Sequence, residues 1–354
     1  NEYSSFYNAF IGNNYGTYTF GDLATFLAEG NSIDYERSYS LVDAKTGDGT
    51  AAAAEFETLQ LGVYAQDEIQ VNDRLKVTAG LRLDIPMYLN KPQEDTYFNN
   101  TTIPLLEAAG YDLKGARVGE MPDPQIMFSP RLGFNYDLKG DRTTQLRGGV
   151  GLFTSRIPFV WPGASYNNNG ILVGQIPGFP NPTVPFRPDP FNQYVGSDLG
   201  ATIASPSGDI NFFEKKFKFP QIFRASLGVD KKLPGNIVGS LEGIYTKTLN
   251  NVNYQQLNIF EPTVNLAGQD NRPRWDRGTR IDNTYNRIIL GTNTNEGYSY
   301  NITAQLSKTF NSGFSANVGY TFGKSMVVND NTSSQNSSQW RFIENVNGKN
   351  RLDL

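Results

Sequence analysis

The sequence predicts an all-β protein, an antiparallel transmembrane β-barrel segment with short periplasmic turns and long extracellular loops. Three observations carry this. Apolar and polar residues alternate over eight separate runs, turns rich in Asn, Asp, Gly and Pro join the runs in pairs, and far longer connections separate the pairs. A period of two sustained over a whole run means strands with one apolar face. Each run is close to the roughly 9–11 residues that a tilted strand needs to cross a bilayer.

Residues 1–56 hold a short helix-like piece, GDLATFLAEG, and a strand near residues 32–41, with no turn that completes a first hairpin. They read as an extracellular loop region. A partial β-barrel of four hairpins then occupies residues 57–354. In the first hairpin, 57–86, Leu59, Leu61, Val63, Ala65 and Ile69 share one face, and Gln60, Tyr64, Gln66 and Glu68 share the other. After the turn at 71–74, Leu75, Val77, Ala79, Leu81, Leu83 and Ile85 oppose Lys76, Thr78, Arg82 and Asp84.

In the second hairpin, 129–156, Leu132, Phe134, Tyr136 and Leu138 alternate with Arg131, Asn135 and Asp137 ahead of a turn at 139–142. The third, 221–248, sets Phe223, Ala225, Leu227 and Val229 against Arg224, Ser226 and Asp230, and turns at 234–236. The fourth, 298–325, runs through Tyr300, Ile302, Ala304, Leu306 and Phe310, turns at 311–313, and returns through Phe314, Ala316, Val318, Tyr320 and Phe322. Connections as long as 86–129, 157–220 and 249–297 are rare in a compact soluble domain and ordinary on the outer face of an outer-membrane barrel. A soluble sandwich or propeller also alternates, but would not alternate such unequal connections. The four tight turns are therefore periplasmic, the apolar faces meet lipid and the polar faces line the lumen.

Composition narrows the function. Cysteine and histidine are both absent from the 354 residues. That removes the usual zinc and haem ligands, Cys and Ser-His nucleophiles and any disulfide framework. A formal net charge of −4, with acids and bases interspersed, leaves no footprint for nucleic acid. With 19 Tyr, 23 Phe and 35 Gly, the composition suits strands, aromatic girdles and turns. No apolar run is long enough for a spanning helix, and NEYSSFYNAF has no signal-peptide plan. The expected protein is not an enzyme and uses no cofactor or metal.

Four segments resemble the TonB-dependent outer-membrane transporters of the Bacteroidetes, the Oar-like group among them. They are ETLQLGVYAQDEIQVNDRLKVTAGLRLD, FSPRLGFNYDLKGDRTTQLRGGVGLFTSR, FRASLGVDKKLPGNIVGSLEGIYTKTLNNVNYQQLN and GYSYNITAQLSKTFNSGFSANVGYTFGKSMVVNDNTSSQNSSQW. YxQDE before a hairpin and GLRxD points to the wider family, and YTFGKS to SSQNSSQW points to the Oar-like group. The resemblance implies a larger, 22-stranded barrel filled by an N-terminal plug, with substrate entering from outside and energy delivered by TonB. No plug, TonB-contacting segment or C-terminal aromatic strand is legible, so the chain reads as a section of a larger barrel.

In PFVWPGASYNNNG, residues 158–170, Phe159, Trp161 and Tyr166 stand beside amides and are the candidate substrate-binding residues, since aromatics next to Asn can stack on sugars or grip a peptide. Packing against neighbouring loops, or a place in the interfacial girdle, is the simpler account of them and is favoured over substrate binding. DNRPRWDRGTRIDN, residues 270–283, has carboxylates at Asp270, Asp276 and Asp282, but the interleaved Arg272, Arg274, Arg277 and Arg280 favour ion pairs on an exposed loop over a calcium site. Glu55, Glu57, Asp67 and Glu68 read as lumenal or rim charge. GGVG at 148–151 has no P-loop Lys-Ser after it and reads as close packing in the wall.

The expected function is a transporter or receptor barrel whose extracellular loops capture a substrate and pass it through a gated lumen. The alternative is a scaffold barrel in an outer-membrane complex with surface lipoproteins, without transport. Expected partners are outer-membrane lipids, the TonB complex through a plug, and a surface lipoprotein.

Overall fold

The computed structural model describes residues 1–9, 11–42, 49–176, 182–199, 208–262, 264–269, 271, 273–274 and 279–341. Nine strands build one continuous wall: β1 (Glu2–Asn8), β2 (Ala54–Asn72), β3 (Leu75–Tyr88), β4 (Met127–Asp137), β5 (Thr144–Thr154), β6 (Gln221–Leu233), β7 (Ile237–Gln256), β8 (Tyr298–Thr309) and β9 (Ser315–Met326). Each pairs antiparallel with the next, and β1 and β9 do not pair with each other, so the described wall is an open sheet.

The register gives each face its character. One row across the wall reads Ile69, Val77, Phe134, Gly148, Leu227, Gly243, Ile302, Phe322. One residue along each strand, on the other face, the row reads Gln70, Lys76, Asn135, Arg147, Gly228, Glu242, Thr303, Thr321. A slip of one residue would exchange the two rows, so an apolar surround pins the register. The apolar face is uncovered: Leu227 and Phe322 are each 56% exposed.

At the turn 234–236, Gly235 and Asn236 take φ of 76° and 58°, the left-handed pair that matches a tight turn to the twist of its strands. In GGVG, a Cβ at Gly148 would lie 2.7 Å from the Ser226 carbonyl oxygen and 2.9 Å from the Phe134 ring. The segment lies inside β5, so its glycines serve close packing of the wall.

Two features go beyond the periodic pattern. Residues 1–56, read from sequence as a loop region, also contribute β1, whose Glu2 to Asn8 pair with Gln60 to Ala54. EYSSFYN has no apolar stripe: Tyr3, Ser5 and Tyr7 share one face, and Ser4, Phe6 and Asn8 the other. The long connections, in turn, fold into a packed cap. The outer part of β7, residues 251–256, leaves β8 and pairs with strand Ile288–Thr294, which pairs in parallel with strand Ile210–Phe213. Phe98, Leu106, Phe212, Leu257, Tyr285 and Leu290 form a core beneath them. A smaller sheet joins Thr17–Thr19, Asp34–Ser40 and Val173–Ile176. Its own core contains Tyr35, Tyr39, Ile176 and Tyr194.

Candidate functional site

The polar face of the wall carries paired charges set by cross-strand neighbourhood. Arg147 donates from Nε to Asp230 at 2.9 Å and from Nη1 to Glu242 at 2.7 Å, and Ser240 donates to the other oxygen of Asp230 at 2.5 Å. Gly228 stands between Arg147 and Glu242 in the register, and its lack of a side chain lets the guanidinium pass. Nearer the cap, Arg82 holds Asp84 through two bonds of 2.7 Å, and Gln60 adds a third at 3.3 Å. Of the four acids clustered in sequence, Glu68 pairs with Lys76 at 2.5 Å on this face.

Arg131 and Arg224 flank Gly151 in a single row. Arg131 lies over the Phe153 ring at 4.7 Å, and Arg224 donates to Thr246 at 3.2 Å. Neither has a carboxylate partner among the described residues. With Gly80, Gly133 and Gly149 beside them, they line a groove along the polar face. Only strand register brings these arginines together, because their positions in the chain are far apart.

Phe159, Trp161 and Tyr166 come together on the cap helix Val160–Asn167 and its first flanking residue. Trp161 is buried, donates from Nε1 to the Ser333 carbonyl at 2.9 Å and stands edge-on to Tyr254. Tyr166 is buried, stacks on Phe56 and donates to the Asn90 carbonyl at 2.7 Å, and burial pushes its hydroxyl pKa up. Phe159 is half-buried and meets Phe6 and Phe56 edge-on. Gly163 permits the close approach, since a Cβ there would lie 2.8 Å from the Phe6 ring. The polar atoms of Trp161 and Tyr166 are engaged by backbone carbonyls, so these rings clamp the helix to the outer ends of β1, β2 and β7.

Of the acidic and basic residues in 270–283, Asp270, Arg272, Asp276 and Arg277 lie outside the described residues. Asp282 is buried, where the sequence suggested an exposed ion pair. It accepts from Thr102 Oγ1 at 2.5 Å and from the Thr284 backbone N–H at 2.8 Å. Arg280 donates to Asn286 at 3.0 Å, and burial lowers its pKa. Among the described residues, no group of three acids could hold a metal ion.

An antiparallel wall with a continuous apolar face, a charged opposite face, tight turns at one end and a folded cap at the other defines an outer-membrane β-barrel protein. The chain belongs to the outer membrane beta barrel domain family, whose profile matches residues 2–353. The protein is therefore placed in the outer membrane, where its apolar rows suit contact with lipid.

No curated protein matches the chain. Among solved structures, it is similar to the siderophore receptor PirA from Pseudomonas aeruginosa, with 11% identity and a TM-score of 0.41 over 83% of this chain and 42% of that one. It is similar to a mutant of the ferric enterobactin receptor PfeA from Pseudomonas aeruginosa, with 12% identity and a TM-score of 0.41 over 82% of this chain and 31% of that one. The FrpB iron transporter from Neisseria meningitidis follows, with 8% identity and a TM-score of 0.32 over 82% and 40%. The chain thus spans less than half the length of each of these three.

Proposed function

We propose that this chain is the barrel portion of a TonB-dependent outer-membrane transporter of the Oar-like group of Bacteroidetes. The cap captures a substrate outside the cell, and the charged face of the wall lines its path through a gated lumen. The observation that supports this best is the pairing of a lipid-compatible outer face with a lumenal face that carries the Arg147 network and the Arg131 and Arg224 groove. In this reading, the barrel closes with 22 strands around a plug that contacts TonB, and Phe159, Trp161 and Tyr166 serve capture by fixing the cap helix beside the substrate.

A scaffold role in a complex with a surface lipoprotein has one observation in its favour. The short cap helix Leu23–Leu27 leaves Leu23 69% and Leu27 71% exposed. Apolar side chains presented to water in this way suit a protein partner. The deciding experiment compares nutrient uptake and outer-membrane complexes in cells with the intact gene, without it, and with TonB disabled. Uptake lost equally in the last two supports transport. Uptake unchanged while a lipoprotein complex disappears supports the scaffold.

A further inference from the structure

Glycine weakens a strand, and inside a wall it stands where a bend, close packing or an approaching group requires it. At Gly149 packing is the reason, since a Cβ there would lie 2.9 Å from the Leu132 carbonyl oxygen. Gly80 and Gly133 have no such reason. A Cβ at Gly80 would come no nearer than 3.4 Å to its neighbours, one at Gly133 no nearer than 3.7 Å, and neither residue takes a positive φ. Both lie on the polar face beside Arg131: Gly80 pairs with it, and Gly133 follows two residues along the same strand.

One row of this face reads Gln66, Gly80, Arg131, Gly151, Arg224. The missing side chains leave a hollow of about 610 Å³, counting space open to solvent, lined by both arginines together with Gln66, Thr78 and Ser226. Gly151 shapes it as well. A Cβ there would press to 3.2 Å on both Arg131 Cγ and the Phe153 ring, so its absence lets the Arg131 guanidinium lie over that ring at 4.7 Å. A guanidinium stacked in this way keeps the N–H groups of its edge free for an acceptor in its plane. The two arginines stand two strands apart, about 10 Å between Cα atoms at ordinary strand spacing, so one small ligand can reach both.

The charges of the face select the ligand. Among the described residues, Asp84 is held by Arg82, Glu68 by Lys76, and Asp230 and Glu242 by Arg147. Arg224 donates to the Thr246 hydroxyl, and the described lining of the hollow contains no acid. Guanidinium groups carry donors alone, in a fork that matches the oxygens of a carboxylate or phosphate. Two of them beside an open glycine floor call for an anion.

We propose that this hollow is a binding site for a small anion bearing carboxylate or phosphate groups, whose oxygens accept from Arg131 and Arg224 while its body lies over Gly80 and Gly133. The proposal deepens the transport reading and rests on it, because the ligand arrives there only if the polar face is the lumen wall.

The test is calorimetric titration of the full-length protein, purified in detergent, with succinate and with glycerol phosphate, and with succinamide and glycerol as their uncharged counterparts. Arg131→Gln and Arg224→Gln each remove one charge from an exposed side chain. Gly133→Val keeps both charges and fills the floor at a position where a Cβ meets only ordinary contacts. At least one of the two anions is expected to bind, and which of them binds distinguishes carboxylate from phosphate. Each variant is expected to weaken that binding about tenfold or more with an unchanged thermal midpoint, and misfolding of one variant leaves the other two to decide. The proposal is overturned if neither anion binds, as when another part of the full-length protein supplies the carboxylate, or if the uncharged counterparts bind equally well. Binding weakened by the arginine variants but not by a folded Gly133→Val indicates a diffuse positive field and overturns the site as well. Titration does not involve transport: anion binding without uptake counts against the transporter reading alone, and uptake without anion binding counts against this site alone.

Discussion

Tyr166 lies on Phe56 with ring centroids 4.7 Å apart and planes 13° from parallel, which ties the helix after β5 to the outer end of β2. Because Phe56 is fully buried there and Tyr166 nearly so, the contact joins cap to wall without water between them. Tyr166→Ala should cost about 3–5 kcal/mol, as truncation of a buried aromatic does. Tyr166→Phe, which loses only the bond to the Asn90 carbonyl, should cost about 1 kcal/mol. Hydrogen exchange in residues 158–170 is the measurement, and equal exchange in the two variants would contradict the clamp.

The two faces of the wall should respond oppositely to charge. Leu227→Arg places a cation against lipid at mid-strand and should cost about 2–4 kcal/mol, whereas Val77→Arg, the third residue of β3 and close to the tight turn, should cost about 0–1 kcal/mol. Thr78→Arg and Ser226→Arg, one residue along the same strands, should be tolerated in the lumen. Urea titration of the full protein in lipid vesicles decides it, and equal costs at Leu227 and Ser226 would reverse or dissolve the assigned orientation.

Arg147 binds Asp230 and Glu242 from one guanidinium, but all three side chains remain partly exposed. Pairs of this kind contribute about 0.2–1 kcal/mol each. Arg147→Ala should therefore cost only about 1 kcal/mol in vesicle unfolding while shifting ion selectivity toward cations in planar-bilayer conductance. A large stability loss with unchanged selectivity would mean that the network is structural and not part of a lumenal path.

The cap should loosen in alkali. Tyr285 donates to Asp95 at 2.5 Å, and burial, followed by that carboxylate, raises its pKa above the ordinary 10.0. The unfolded chain loses this proton near pH 10 while the folded cap keeps it, so the contribution is complete below about pH 10 and is lost as pH rises further. Tyr285→Phe should flatten part of the decline in cap protection above pH 10 while losing some stability at neutral pH. Hydrogen exchange of residues 98–106 across that range is the check, and an unchanged slope would refute the assignment.

Much of the wall is legible because side-chain direction in a strand follows from position alone. Ile69 and Val77 on one face, with Gln70 and Lys76 on the other, can be read from the residues, and so can the need for lipid on the apolar side. β1 escapes that reading because Tyr3, Ser5 and Tyr7 make no apolar stripe. Trp161 and Tyr166 stand out as aromatics beside amides, but only their partners Ser333, Asn90 and Phe56 show that they face inward.

The sequence by itself determined the strand class, the alternating faces and the contrast between tight turns and long connections, since each is a local property of the pleated backbone. Tertiary structure alone decided that the long connections pack into a cap and that Arg131 and Arg224 flank Gly151. These groupings join residues far apart in the chain, and no local period encodes them. They arise when core burial and strand register bring distant segments into contact.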